Sequence, residues 1–100
     1  MIHEYAYVYL LGNFNRKVLY TGLTTGLKQR ITDHKNGIGS SFTHKYNIHI
    51  LLWYKGFQRI EDAILKEKQI KRWRREWKEN LIRDFNPDFR DLYFDILELH

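Results

Sequence analysis

The hydrophobic and polar positions of this chain follow the period of strands first and of helices afterwards. Residues 5–11 read Tyr-Ala-Tyr-Val-Tyr-Leu-Leu, an aromatic and β-branched run without a helix breaker, which predicts a first strand. Residues 12–17 are typical of a turn, and residues 18–23 predict a second strand. The two segments therefore predict a β-hairpin.

The register of this hairpin determines which tyrosines face each other. If Leu11 pairs with Val18, Tyr9 lies directly opposite Tyr20, with Cβ atoms roughly 5 Å apart on one face of the sheet. A slip of one residue would place the two phenols on opposite faces, because side chains alternate along a strand. We take the directly opposed pair as the prediction.

A helix and a loop are predicted after the hairpin. Thr24 or Thr25 can cap a helix that runs to about Lys35. Asn36-Gly37 is a typical signal for the end of a helix. Residues 38–47 are polar and contain glycine and serine, which predicts a loop.

The remaining sequence predicts one more strand and further helices. Residues 48–54 predict a third strand, residues 58–71 a long helix, and residues 75–84 another helix. That helix ends before Asn86-Pro87, because a residue that precedes proline avoids the α region. Residues 89–97 have apolar side chains at helical spacing and predict a short packing helix or tail. The predicted order is β-β-α-β-α-α.

The composition narrows the class of protein. A chain of 100 residues with 43% hydrophobic residues predicts one globular domain. The net charge of +5 favours a polyanionic partner without defining one. The absence of cysteine excludes disulfides and thiolate metal sites and fits a reducing cytoplasm, which is the expected location. The first residues lack a signal pattern and the apolar runs are too short to span a bilayer, so we expect no membrane association.

Two polar side chains share one face of the first predicted helix. Leu27, Arg30, Ile31 and His34 recur at the spacing of a single helix face. Arg30 and His34 can therefore act on one ligand: a guanidinium suits phosphate, and an imidazole, kept neutral by the adjacent positive charge, can accept a proton. Taken singly, each has a more ordinary interpretation, which is an arginine stem lying along the surface and a hydrogen-bonded, half-buried histidine.

The long second helix carries a carboxylate on its inner face. Ile60, Ala63 and Ile64 define that face, and Glu67 falls within the same arc. A carboxylate there needs a partner or a metal. Lys71, four residues later, is one candidate partner. The other is a hard cation such as Mg²⁺, which often takes only one or two protein carboxylates, and the helix pattern alone favours the two equally.

The two hairpin tyrosines have two interpretations of their own. The chain has seven tyrosines, so Tyr9 and Tyr20 could be ordinary sheet aromatics. A phenol has a pKa near 10 and is a poor base unless a neighbouring cation or metal lowers that pKa. Arg30 or a bound Mg²⁺ could supply the shift.

A dense run of positive charge covers residues 66–78. Its basic residues are Lys66, Lys68, Lys71, Arg72, Arg74, Arg75 and Lys78. We expect this run to face phosphates, and the candidate substrate-binding residues within it are Lys71, Arg72, Arg74 and Arg75. Trp73 and Trp77 could stack on bases, but for these two side chains we favour packing on the core.

Together these motifs resemble the GIY-YIG nuclease family. Tyr7-Val8-Tyr9 takes the place of the Gly-Ile-Tyr triplet, and Tyr20-Thr21-Gly22 that of Tyr-Ile-Gly. Leu27-x-x-Arg30-x-x-x-His34 resembles the arginine helix of the family, and Ala63-Ile64-x-x-Glu67-Lys68 its acidic helix. Asn86-Pro87 lies where many members carry a late asparagine. The missing glycine of the first triplet and the threonine of the second remove no chemical group.

The resemblance covers nearly the whole chain, which predicts a single domain over residues 1–100. It is greatest to small stand-alone bacterial members, which are also similar to the amino-terminal nuclease domain of the excision-repair incision subunit. It implies an α+β fold with a three-stranded antiparallel sheet flanked by helices. The implied activity is endonucleolytic cleavage of DNA, on nicked, branched or damaged structures.

The resemblance also implies roles for particular residues. The implied catalytic residues are Tyr9, Tyr20, Arg30, His34 and Glu67. Glu67 would hold one Mg²⁺ or Mn²⁺ ion, and Arg30 would neutralise charge on the phosphorane. A tyrosine, Tyr9 assisted by His34 or Tyr20, would help deprotonate the attacking water, and the choice of phenol stays open. Asn86 is a further candidate for hydrogen bonding to the substrate or within the site.

Two other functional classes fit the same residues. One is a non-catalytic nucleic-acid-binding module that keeps the fold and the basic surface. The other is an interaction protein in which Glu67 only pairs with Lys71. A chain of 100 residues has no room for a separate DNA-binding domain, so a protein partner or a homodimer would then assist binding.

Overall fold

A computed structural model of the protein describes residues 4–15 and 17–98. Residue 16 of the predicted turn and the two chain ends of the predicted domain lie outside them. In chain order the elements are β1 (Ala6–Gly12), β2 (Leu19–Thr24), α1 (Leu27–Lys35), α2 (Ser41–Lys45), β3 (Ile50–Phe57), α3 (Ile60–Arg72), α4 (Arg75–Phe85) and α5 (Tyr93–Ile96). The predicted α+β order is confirmed, with α2 as an additional helix and α5 in the predicted packing segment.

The three strands form one antiparallel sheet in the order β2-β1-β3. β1 is therefore the central strand and is paired along both sides, whereas β2 lies at an edge. This is the sheet that the family resemblance implied. Its edge strand carries the second tyrosine triplet, which places that triplet beside the surface of the molecule.

The register of the hairpin differs from the prediction. Leu11 pairs with Tyr20 rather than Val18, and Tyr9 pairs with Gly22. The predicted direct opposition of Tyr9 and Tyr20 is therefore wrong by two residues. Because the shift is even, both phenols still point to the same face, where they are diagonal neighbours.

The connection between β1 and β2 explains this register. The backbone amide of Val18 donates to Oδ1 of Asn13 at 3.3 Å, and the Asn13 amide donates to the Val18 carbonyl at 3.4 Å. An asparagine side chain can bond to backbone in this way in place of a regular ladder. Val18 therefore belongs to the turn, and strand pairing begins one residue later, at Leu19.

The sheet separates two hydrophobic cores. On the α3 side, buried residues of the strands pack against α3 and α4: Ala6, Val8, Leu10, Leu52, Trp53, Ala63, Ile70 and Ile82. On the α1 side, the other face of the sheet packs against α1 and the C-terminal segment: Tyr9, Leu11, Leu27, Ile31, Ile48, Leu51, Leu92 and Ile96. The alternation along β1 thus sends Val8 and Leu10 to one core and Tyr9 and Leu11 to the other.

The segment predicted as a polar loop over residues 38–47 contains a short helix. The Ser40 side chain caps α2 by accepting from the Thr43 amide at 3.1 Å. Serine is a preferred N-cap, but five residues are too few to show a helical period in sequence. The following strand also begins later than predicted, at Ile50, and continues to Phe57.

Asn86 has a structural role, which corrects its assignment as a substrate-binding candidate. Its side chain is 3% exposed. The amide nitrogen donates to the carbonyls of Leu52 and Arg90, at 3.2 and 2.8 Å, and the amide oxygen accepts from the Arg90 backbone at 3.3 Å. These bonds join the end of α4 to β3 and leave Asn86 no access to a ligand.

The two tryptophans between α3 and α4 differ from each other. Trp73 and Arg74 are both extended, so α3 stops and α4 starts in a new direction. Trp73 packs partly on the α3-side core, as predicted. Trp77 is 48% exposed, so the prediction that it packs on the core is wrong.

The C-terminal segment holds α1 against the sheet. Nζ of Lys35 lies 2.5 Å from Oδ2 of Asp91, and Oδ1 of Asp91 accepts from the Leu51 amide at 3.1 Å. The hydroxyls of Thr32 and Tyr93 are 2.9 Å apart. These contacts fix α1, which carries two of the candidate site residues. None of the helices in the described residues has the length and apolar character needed to cross a membrane.

Candidate active site

The Tyr9 ring lies over Gly22, its partner on the edge strand. A Cβ atom added at Gly22 would lie 2.3 Å from Cζ and 2.4 Å from the hydroxyl of Tyr9. Any side chain at this position would therefore displace the phenol. The glycine of the second triplet makes room for the tyrosine of the first, and this gives a physical reason for the pairing of the two motifs.

A chain of hydrogen bonds runs from Tyr9 into α1 and α2. The Tyr9 hydroxyl lies 3.1 Å from Nε2 of His34, and Nδ1 of His34 lies 3.0 Å from Oγ1 of Thr43. Oγ1 of Thr43 donates in turn to the Ser40 carbonyl at 3.0 Å. Tyr9, His34 and Thr43 are all buried. The chain therefore links one residue from the sheet and two from separate helices without exposing a polar group.

These bonds favour one tautomer of His34. If Thr43 donates its hydroxyl proton to the Ser40 carbonyl, its oxygen accepts from Nδ1–H of His34. Nε2 then carries a lone pair and accepts from the Tyr9 hydroxyl. The histidine is thus held neutral with its acceptor nitrogen directed at a phenol.

The electrostatics around His34 also favour its neutral form. The pKa of His34 is lowered, first by burial and then by the positive charge of Arg30, although Asp33 opposes the shift. The predicted neutral state of His34 therefore has two causes in the structure, of which only the charge was expected.

The Tyr9 phenol is harder to ionise than a free phenol. Burial raises its pKa, and Tyr20 and Glu67 act in the same direction, whereas the Arg30 guanidinium lowers it through its charge and a hydrogen-bonding interaction. The expectation that Arg30 could make Tyr9 a ready base is therefore wrong, because burial outweighs the guanidinium. In this environment Tyr9 is a hydrogen-bond donor.

Tyr20 is the phenol of the pair that reaches solvent. It is half-buried, while Tyr9 has no exposed surface. Its ring centroid lies 6.4 Å from that of Tyr9 and 5.8 Å from that of His34, and it stacks with Phe42 of α2 at 6.2 Å. The two predicted phenols and the predicted imidazole therefore do form one aromatic cluster on the α1 side.

Arg30 forms the exposed border of this cluster. Its side chain is exposed and lines an open cavity of about 310 Å³ together with Asp33, Ile38, Gly39 and Ser40. Its charge acts on both Tyr9 and His34. A solvent-facing guanidinium beside buried neutral groups is well placed to receive an anion from solution.

Glu67 approaches the cluster from α3. One carboxylate oxygen lies 2.8 Å from Nζ of Lys71, so the predicted ion pair is present. The Glu67 side chain is 15% exposed, and its charge is close enough to raise the pKa of Tyr9. The carboxylate thus has an ordinary partner and also lies near the phenol.

The donor set around Glu67 suits one kind of metal site. Within the described residues, no group of three or more histidine, cysteine, aspartate or glutamate side chains could hold a metal ion. Mg²⁺ is commonly bound through one or two carboxylates and completes its shell with water and substrate phosphate. Lys71 is 54% exposed and can turn away from Glu67. The residues therefore fit a Mg²⁺ or Mn²⁺ ion that shares its shell with a phosphate, and not an all-protein cage.

The other basic candidates are spread over the surface. Arg72 is exposed on the outer side of α3. Arg74 pairs with Glu76 at 3.4 Å. Arg75 pairs with Glu79 at 3.1 Å, donates to the Lys17 carbonyl and lines a cavity of about 620 Å³ that contains none of the clustered residues. Lys71 differs from these three because it pairs with Glu67, a candidate site residue.

Three residues of the site were not found from sequence. Ser40 caps the short helix α2 and Thr43 lies within it, in the segment that was predicted as a loop. Gly39 touches His34 so closely that an added Cβ would lie 2.3 Å from Nδ1. The available signal is Ser40 itself, since serine is a preferred N-cap residue. The contact with His34 itself has no trace in the sequence.

The fold and the clustered side chains define a small α+β domain with a buried tyrosine–histidine pair bordered by arginine and glutamate. Residues 5–80 match the family pattern described as the GIY-YIG catalytic domain, and the chain belongs to the GIY-YIG family.

Relatives in other organisms are proteins of the UPF0213 group. The chain is 31% identical over 80 residues to one from Haloquadratum walsbyi, which covers 80% of this chain and 89% of that protein. It is 38% identical over 73 residues to one from Streptococcus pyogenes serotype M3, which covers 72% and 77%. The solution NMR structure of a UPF0213 protein from Bacillus halodurans is similar, with a TM-score of 0.56, 27% identity and coverage of 95% and 98%.

Proposed function

We propose that this protein is an endonuclease that hydrolyses DNA phosphodiester bonds with the help of a divalent cation. The observation that carries the proposal is that the charges of Arg30 and Glu67 both act on the Tyr9 hydroxyl, which is bonded to His34. A family whose pattern is described as a catalytic domain makes chemistry the first expectation for such a cluster.

Arg30 is proposed to bind the scissile phosphate. Its guanidinium is exposed, carries a permanent charge and can form two parallel bonds to phosphate oxygens. Negative charge increases on those oxygens as water attacks. A donor already in place stabilises that charge without reorganisation, and removal of one such donor typically costs about 10²–10³ in rate.

The proton of the attacking water is proposed to pass toward His34. Tyr20 is the phenol that meets solvent, so it is the one that orients the water. His34 is neutral, and the lone pair of Nε2 points at the Tyr9 hydroxyl. The Tyr9 hydroxyl is closed to solvent, so the proton of the water passes by way of the Tyr20 hydroxyl to Tyr9, while Tyr9 gives its own proton to Nε2. Thr43 keeps the ring in the tautomer that this transfer requires.

Glu67 is proposed as the protein ligand of the cation. A Mg²⁺ or Mn²⁺ ion, when bound there, supplies positive charge to the scissile phosphate and to the leaving 3′-oxygen. Lys71 neutralises Glu67 in the absence of the ion, and its exposed stem allows it to move to a neighbouring phosphate.

Matched substitutions on α1 and α3 test the proposal. Supercoiled and branched DNA is incubated with Mg²⁺ or Mn²⁺ and the wild-type protein, Arg30→Ala or Glu67→Ala. Arg59→Ala and Glu61→Ala are the controls, because these residues form an exposed ion pair at the start of α3. We expect nicking by the wild type and both controls, and a loss of about 10²-fold or more in the two site variants. Equal nicking by all five proteins would contradict the assignment.

The second candidate is a non-catalytic nucleic-acid-binding module. The salt bridge between Glu67 and Lys71 and the sealed Tyr9 hydroxyl favour it, because both groups are satisfied without a substrate. Salt-sensitive binding to DNA with no cleavage under either metal would support this function instead.

The finer assignments made from sequence are retained as proposals. They are a single domain over residues 1–100, a location in the cytoplasm, and a role in DNA repair on structured substrates. The likeness to the nuclease domain of the excision-repair incision subunit belongs with them. A protein partner or a second copy would assist DNA binding, and sedimentation with and without DNA tests that part.

A further inference from the structure

A groove lies on the outer side of α3, where α3 and α4 diverge. We call it the tryptophan groove; its volume is about 510 Å³, and it is lined by Leu65, Lys68, Gln69, Arg72, Trp73 and Trp77. Leu65 is 67% and Trp77 48% exposed, so apolar surface remains open to water. The volume falls in the range typical of small-molecule sites.

The position of the groove follows from the break between the two helices. Trp73 and Arg74 are extended, and Trp73 packs partly on the core while its ring lies edge-on to Trp77 at 6.1 Å. The Trp77 ring at the start of α4 therefore packs on a partly buried neighbour, and about half of its surface remains open to solvent.

The charge around the groove has one sign. Lys68 and Arg72 are i,i+4 neighbours along the outer stripe of α3, and no acidic residue lines the groove. Within the described part of the chain, neither cation has a carboxylate within 4 Å. Arg74 lies 5.7 Å from the Trp77 ring centroid, but Glu76 offsets its charge through the ion pair at 3.4 Å.

We propose that the tryptophan groove binds unpaired nucleotides of a DNA strand. A base would stack on Trp77, and Lys68 and Arg72 would contact the flanking phosphates. Aromatic surface beside unpaired cations is the arrangement that recognises single strands, because every base has a face to stack and every linkage a charge. A duplex offers no free base face, so the groove selects unpaired DNA. The choice of DNA as the ligand rests on the proposed function.

The groove is separate from the candidate active site. At 100° per residue, its stripe on α3 points roughly 150° away from Glu67. The thickness of one helix, about 10 Å with side chains, therefore separates the stacking surface from the carboxylate. A substrate that reaches both must carry a few unpaired nucleotides beside the bond to be cut. The groove thus narrows the proposed substrate to DNA with a single-stranded branch or end.

Binding to labelled oligonucleotides tests the proposal. Fluorescence anisotropy of a labelled oligothymidylate and of a duplex of equal length is measured with the full chain in EDTA, which prevents cleavage. The variants are Trp77→Ala, Trp77→Phe and Lys68→Ala. Phe14→Ala, at a 91% exposed aromatic of the hairpin, and Lys55→Ala, at an exposed cation of β3, are the controls.

The expected result is specific for the single strand. Trp77→Ala weakens oligothymidylate binding about tenfold, Trp77→Phe restores most of it, and duplex binding stays unchanged. Lys68→Ala removes about one phosphate contact, which makes the slope of log K against log salt concentration for single-strand binding shallower by roughly 0.7. Both controls behave as wild type. Unchanged affinity in Trp77→Ala overturns the proposal.

Two further outcomes separate this proposal from its alternatives. If Trp77→Ala abolishes self-association in sedimentation but leaves oligonucleotide binding intact, the groove is an interface between two copies and the proposal fails. If the wild type binds oligothymidylate through Trp77 yet cuts no DNA under any metal, the groove is upheld and the nuclease function falls.

Discussion

The two faces of the sheet differ in how they bury polar groups, although the same strands form both. On the α3 side the core is apolar, and its one buried hydroxyl, that of Thr21, has no hydrogen-bond partner within the described residues. On the α1 side, Tyr9, His34 and Thr43 are just as buried, but each bonds to the next. Burial of apolar side chains serves stability, whereas burial of polar groups with a complete set of partners fixes the direction and the protonation state of reactive groups.

The difference shows how the free-energy cost of burying the polar groups of the site is offset. In the hydrogen-bond chain on the α1 side, removal of one polar group should lower the free energy of unfolding, because its neighbour would be left as a buried, unpaired donor or acceptor. In the apolar core on the α3 side, the size and shape of a side chain decide the cost of a substitution. The two faces should therefore respond to substitution in different ways, and four buried positions and one titration test this.

The largest expected effect is on the apolar face. Leu10→Ala removes a fully buried side chain from the α3 side and should lower the free energy of unfolding by about 2–5 kcal/mol. Urea unfolding measures the change, with Leu97→Ala, an exposed leucine, as control. Under conditions where the variant is folded, nicking per folded molecule should equal that of the wild type. A selective loss of nicking would contradict the separation of the two faces.

Gly22→Ala should damage the site face by overpacking. The new methyl group would lie 2.3 Å from the Tyr9 ring, so the phenol must move away from His34. We expect a loss of about 1–3 kcal/mol in stability and a strong loss of nicking. Gly26→Ala is the matched control, since an added Cβ there has no atom within 4 Å. Full nicking by Gly22→Ala would disprove the proposed role of the Tyr9 position.

Thr43→Val tests the hydrogen bond that holds the His34 tautomer while it leaves the packing of the side chain unchanged. Valine keeps the shape but removes the hydroxyl, which leaves Nδ1–H of His34 and the Ser40 carbonyl without this partner. The expected costs are about 1–2 kcal/mol in stability and about tenfold or more in nicking rate. Thr43→Ser restores the hydroxyl and should recover most of the rate. Equal rates in the valine and serine variants would remove Thr43 from the mechanism.

Thr21→Val tests the opposite face with the same chemical change. Here the hydroxyl is buried and unpartnered, so its removal should raise the free energy of unfolding by about 1 kcal/mol. Nicking should not change. Thermal melting of this variant beside Thr43→Val compares one substitution in two settings. A loss of stability in Thr21→Val as well would contradict the expected benefit of removing an unpartnered hydroxyl.

The smallest effect concerns pH. The pKa of His34 is lowered from its ordinary value of 6.5 in the folded protein, so the unfolded chain binds a proton more readily. The stability that this residue contributes is complete above pH 6.5 and is lost as the pH falls from there to the folded-state pKa. His34→Gln should lose less stability than the wild type between about pH 7.5 and about pH 5. Urea midpoints at the two pH values measure it, and identical losses would contradict the shift.

Most of the fold was accessible from sequence because the strands and long helices have strong periods. The first helix was predicted to end at about Lys35, and it does, but the predicted cap at Thr24 or Thr25 is wrong, because Gly26 is the N-cap and no side chain caps the helix. The hairpin register failed because the Asn13 side chain closes the turn, and such a bond depends on three-dimensional geometry. α2 was missed because it is only five residues long.

The sequence predicted which residues form the candidate site but not how they contact one another or how deeply they are buried. The helix period correctly placed Arg30 and His34 on one face, and both reach the hairpin tyrosines. Burial could not be derived from period alone, so the direction of the Tyr9 pKa and the structural role of Asn86 were both missed. The pairing of Glu67 with Lys71 was one of two open alternatives and is present without excluding the other.

The position of the last segment affects how this domain can be shortened. The family pattern ends at residue 80, but Leu92 and Ile96 complete the core beneath the tyrosines, and Asp91 and Tyr93 anchor α1. A fragment cut at the family boundary would keep every candidate catalytic residue but lose the surface on which α1, the helix of Arg30 and His34, rests. Recombinant fragments and domain fusions designed from the matched range alone would therefore expose apolar surface and tend to aggregate.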